Sequence, residues 1–150
     1  MPSYVRAASQ VILSGLAGLV VWEIFARVVA PYWIGGPLDP LPLIQMTFGL
    51  TGVPAEAVHI LTGLVAYPVG YLFIMTPLAA MVMPRANWLL LGAVYGVGLW
   101  VFAMYVIASL VGGMPPFLGF QPIAWASLAG HVGLGLGIAG AAGLTSVIKY

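Results

Sequence analysis

The chain has 150 residues, of which 63% are hydrophobic and only 5% charged, with a net charge of +1 and no cysteine. A soluble domain carries close to a quarter charged residues, so this composition excludes an aqueous globular domain, and so small a net charge offers no handle to nucleic acid. The lack of cysteine excludes disulfides, thiolate metal sites, iron–sulfur clusters and covalently attached c-type haem. The chain reads as one all-α integral membrane domain over residues 1–150, embedded in the lipid bilayer.

Span one is expected over about residues 8–31. Arg6 ahead of Val11–Val21 has the outline of a signal peptide, but the apolar run continues past Glu23 and Arg27 to Ala30, so it reads as an uncleaved span. Gly15 and Gly18 let a neighbouring helix come close, and Trp33 stands where an interfacial aromatic belongs. Glu23 and Arg27 are four residues apart on this span and can pair on one face. An ionisable residue inside a span is a site hypothesis by default; here the plainer reading is an internal ion pair, the other a proton-relay or docking carboxylate at Glu23.

The outer loop, residues 34–55, opens with Gly35-Gly36-Pro37-Leu38-Asp39-Pro40, which cannot continue a helix. Asp39 is placed to cap the turn that follows it. Residues 43–51 suit a short interfacial or re-entrant helix, and Gly52-Val53-Pro54-Ala55-Glu56 reads as a helix start. Span two, about residues 55–76, should kink at Pro68, with Pro77 and Pro84 breaking up its far end. Span three, about residues 88–110, carries Gly92, Gly96 and Gly98. A second outer loop, residues 112–121, leads into span four, about residues 122–148, where Gly130, Gly133, Gly137 and Gly140 form a packing stripe.

Arg6, Arg85 and Lys149 flank the spans on one side, and the two outer loops contain no Lys or Arg. The positive-inside rule therefore places both termini in the cytoplasm of a prokaryote, in a four-helix bundle of the inner membrane. The halves repeat one another: Gly18-x3-Trp22 is echoed by Gly96-x3-Trp100, and His59-x3-Gly63-x2-Ala66-x3-Gly70 by His131-x3-Gly135-x2-Ile138-x3-Ala142. This pattern predicts a duplicated helical hairpin.

His59 and His131 are the sharpest chemical feature. On spans two and four, diagonal in an up-down-up-down bundle, they could ligate one b-type haem, with Gly63 and Gly70 making room. The plainer alternative is interhelical hydrogen bonding, and a quinone or metal site is a third; no metal-ligand spacing accompanies them. The glycines of spans one and three are expected nearer the cytoplasmic side than the histidines. Trp22, Trp100, Tyr67, Tyr95 and Tyr105 read as packing or lipid contacts.

The order Leu-Asp-Pro, Gly-Val-Pro, a span with His59-x3-Gly63, a Gly-rich span, an outer Gly/Pro turn and a span with His131-x3-Gly135 resembles a family of small four-span prokaryotic membrane proteins of unknown function. Members are sometimes encoded beside haem–copper oxidase subunits, and the resemblance, over residues 38–143, implies an accessory role in respiration. The expectation is thus a non-catalytic small subunit packed against a larger membrane complex, an oxidase or reductase, with its glycine faces as docking surface. The alternatives are a cytochrome holding haem b between His59 and His131, and a small transporter.

Overall fold

The computed structural model describes residues 3–145. Four of its helices are long and apolar enough to cross a membrane: α1 (Ser3–Ile34), α3 (Val53–Val82), α4 (Trp88–Val111) and α5 (Pro122–Leu144). A short helix, α2 (Leu41–Phe48), lies between the first two. The expected end of span four, with Lys149 and Tyr150, lies outside the described residues.

Two of the spanning helices, α1 and α3, pass through three prolines without ending, by the same device. Each proline lacks the N–H that its i−4 carbonyl would accept, and its ring crowds that carbonyl. Pro31, Pro68 and Pro77 sit four residues after Arg27, Leu64 and Phe73, and each of those is the centre of a five-residue π-helical turn: Phe25–Val29, Thr62–Ala66 and Tyr71–Met75. Widening the turn removes the clash and shifts the bonding to i+5, as in Tyr67 N–H to Thr62 O. Pro77 therefore does not break up the second span, contrary to the sequence expectation: the helix continues to Val82. The first helix likewise carries on past Pro31 to Ile34, where Gly35 closes it in a left-handed conformation. Asn87 starts α4 by accepting the Leu90 N–H at 2.9 Å.

Close glycine contacts set the register. A Cβ on Gly15 would lie 2.1 Å from the Leu64 carbonyl oxygen of α3, one on Gly137 2.9 Å from Ala17 O of α1, and one on Gly96 2.4 Å from His131 O of α5. These pairings run antiparallel, so α1 and α4 point one way and α3 and α5 the other. Helix α5 packs along both α1 and α4, α3 rests on α1, and α3 and α4 touch only lightly. Tyr95 links them: its hydroxyl donates to Tyr67 O at 2.5 Å across Gly70, and its ring meets that of Tyr71 edge-on at 5.2 Å. Arg6 and Arg85 thus share one end of the bundle, and the loops at Asp39 and Gly113 share the other.

The glycine stripes are spent inside this chain. Added Cβ atoms would meet Leu19 at Gly63, Tyr95 at Gly70, Trp22 and Phe25 at Gly130, Val21 at Gly133, and Trp88 at Gly140. Together with Gly137 on Ala17, the six glycines expected to offer docking surface hold the bundle's own helices together. Gly96 also corrects an expected level: it abuts His131 and does not lie below it.

At the Gly113 end, Phe117, Leu118, Gly119 and Phe120 all take positive φ, between 51° and 63°. Left-handed backbone costs a non-glycine residue about 1–2 kcal/mol. Phe117 stacks on Trp100, Tyr105 and Phe120 with ring centroids 4.7, 5.6 and 5.3 Å apart. At about 0.5–1.5 kcal/mol per aromatic pair, that cluster is of the size needed to hold the turn.

Candidate functional site

The loop after α1 folds back because Leu38 N–H donates to Ala26 O at 2.9 Å, which buries the Leu38 side chain and turns the chain toward α2. Asp39 Oδ1 then accepts the Leu41 N–H at 2.9 Å and starts α2 over the open end of the helices. Beneath this cover lies a cavity of about 420 Å³, within the range of small-molecule sites. Its walls are mostly apolar, and Trp22, His59, Ser127 and His131 bring polar atoms to it. Histidines from α3 and α5 thus line one chamber, although they differ in distance from the start of their helices.

Trp22 connects them. Its ring lies 4.9 Å from that of His131, edge-on, and 6.4 Å from that of His59. The indole is 5% exposed, and its Nε1–H finds no partner among the described residues. Leaving such a donor unpaired in the interior costs about 1–3 kcal/mol.

The two imidazoles are held differently. His131 is 6% exposed, and its Nδ1 lies 2.8 Å from Ser127 O, an atom that only accepts. Nδ1 therefore carries the proton, and the lone pair sits on Nε2. His59 Nε2 lies 3.3 Å from Glu23 Oε1. The other Glu23 oxygen pairs with Arg27 Nε, so one carboxylate on α1 holds both an arginine of its own helix and a histidine of α3.

A second chamber of about 540 Å³ lies against the first. Glu23, Asp39 and Glu56, the only three acidic residues of the chain, line it with Arg27 and His59. Leu38, Asp39 and His59 belong to both walls. His59 is thus the point where a charged vestibule meets an apolar cavity.

The structure brings together His59, His131, Glu23 and Arg27 from the sequence reading, with Gly63 on the cavity wall beside His59. Sequence reasoning took Trp22 for a packing residue, and its contact with both histidines has no local signal beyond the Gly-x3-Trp echo. Comparison of the chain with family models, with curated proteins and with solved structures gives no match.

Proposed function

We propose that this chain is a small non-catalytic accessory protein of a larger membrane complex of the respiratory oxidase or reductase kind, and that it contributes a binding cavity. The observation that carries this reading is that two histidines from different helices, both in ring contact with the buried Trp22, line a single mostly apolar chamber. Two imidazoles, an indole and a hydroxyl are a set that binds and orients a ligand. The respiratory setting rests on the resemblance of the motif order. A prokaryotic cytoplasmic membrane with both termini inside follows from the positive-inside rule, supported by Arg6 and Arg85 sharing one end of the bundle.

With the glycine stripes used internally, contact with a partner falls to the lipid-facing apolar surface. The test is affinity purification from native membranes in a mild detergent through a tag after Tyr150. A stoichiometric oxidoreductase subunit is expected, and recovery of a homogeneous lone chain overturns the accessory role. The chain has no cysteine, so single cysteines placed at Gly113 and Arg85 read topology directly. Labelling from outside is expected at Gly113 only.

Haem is the second reading, favoured by His59 and His131 lining one cavity. His59 and His131 would be the residues to hold the iron, and the Trp22 indole, in contact with both rings, takes up space beside them that a macrocycle would need. Haem ligation therefore needs Trp22 to vacate the position it holds. A reduced-minus-oxidised α band that is lost in His59→Ala and in His131→Ala would establish it.

A further inference from the structure

Resting on the cavity reading above, we propose that the ligand is a single-ring quinol with an apolar tail, bound in preference to its oxidised quinone. Three independent features of the chamber lead there. The first is its hydrogen-bonding pattern. His131, with Nδ1 committed to Ser127 O, offers a lone pair on Nε2, and the Trp22 ring, 4.9 Å away between centroids, holds that imidazole edge-on. A hydroxyl serves the lone pair by donating to it. A quinone carbonyl has no proton to give and leaves the His131 nitrogen unsatisfied.

The second feature is that the chamber has two such stations. His59 stands on the same wall system with Nε2 turned to an acceptor-only carboxylate, Glu23, so its own lone pair, in the neutral ring, is on Nδ1. A ring with hydroxyls at opposite ends matches two imidazoles, whereas a fatty alcohol or sterol brings one hydroxyl. Apart from Asp39, Thr62 and Ser127 the rest of the lining is mainly apolar, and Trp22, Tyr67 and Phe102 give it flat faces that suit an aromatic ring.

The third is the way in. Met46 and Phe48 of α2 and Phe102 of α4 belong to the lining and are 68%, 48% and 48% exposed. The chamber therefore opens sideways between α2 and α4, past apolar side chains on the lipid-facing surface of a spanning helix. An apolar tail can stay in the bilayer while the head group enters. A polar metabolite arriving from water would meet the charged vestibule instead.

The experiment uses the full chain in detergent micelles under argon, titrated with a decyl-substituted benzoquinol and, separately, with the matching quinone, read by calorimetry and by tryptophan quenching. One saturable site per chain is expected, with the quinol about tenfold tighter than the quinone, the value of one hydrogen bond to a buried group. His131→Phe should weaken the quinol by about tenfold and leave the quinone unchanged, while Trp33→Phe, at the exposed end of α1, changes neither. Equal affinity for the two redox forms in the unmodified chain overturns the proposal, and so does quenching that never saturates. Organic extraction of the protein purified from native membranes separates the two levels of the argument. A stoichiometric lipophile without paired hydroxyls overturns the quinol and keeps the cavity reading; no extract and no saturable binding overturn both.

Discussion

Trp22 and Trp100 occupy matching places in the two halves, each four residues after a glycine that lets α5 approach, and they have been put to opposite uses. Trp100 is 7% exposed, donates from Nε1 to Ala124 O at 3.0 Å, and stacks in the aromatic cluster at the Gly113 end. Its hydrogen bonding is complete within the chain. Trp22 is as deeply buried, touches both histidines and has no acceptor among the described residues. A repeated pattern of glycine and tryptophan thus reproduces shape without reproducing polar pairing. One half uses its indole to close the fold, and the other lays its indole against two histidines of a cavity wall.

Four substitutions sharpen or break that contrast, each followed by unfolding of the purified protein in detergent. Gly96→Ala should have the largest effect. The added Cβ would meet backbone, His131 O at 2.4 Å and Val132 Cα at 2.6 Å, so helices must move apart, at about 3 kcal/mol. Trp100→Phe should cost about 2 kcal/mol, through the lost bond to Ala124 O and thinner stacking. Gly18→Ala, the counterpart of the first change, meets chiefly the flexible Ile138 Cγ1 at 2.7 Å and should cost about 1 kcal/mol. Trp22→Phe breaks no hydrogen bond within the chain, so its cost should fall below about 1 kcal/mol even though it alters the cavity. If Trp22→Phe destabilises as much as Trp100→Phe, the division of labour between the halves is wrong.

A fifth change, Glu23→Gln, addresses the vestibule and should move the melting temperature least. The Arg27 side chain is 74% exposed, and pairs at such positions contribute little. Its effect should appear in the titration with quinol, through the orientation of His59.

The four apolar helices were legible from run length and composition, and so was the pairing of Glu23 with Arg27, because i,i+4 neighbours are fixed by helix geometry alone. The Asp39 cap was legible for the same local reason. Pro77 misled because a proline's damage to a helix depends on whether the preceding turn can widen, and nothing in the residues 71–75 announces that they will. The bridge from Glu23 to His59, 36 residues away, and the position of Trp22 between two histidines were out of reach. Helices that are apolar on nearly every face carry no amphipathic stripe to say which side turns inward. The glycines marked close contact correctly but could not name the contacting surface, and their neighbours proved to be in this chain.

The packing of α5 against both α1 and α4 has a consequence for biogenesis. It is the last of the four helices to leave the ribosome, and until it inserts, the small-residue faces at Gly18 and Gly96 have only lipid to meet. In a membrane the nascent protein would therefore wait with α1 and α3 paired and α4 largely apart, and would condense only when α5 inserts, with the Trp22 chamber completed in that step. Chains halted before Pro122 should integrate normally and yet be cleared by membrane proteases, because insertion and assembly are here separated in time.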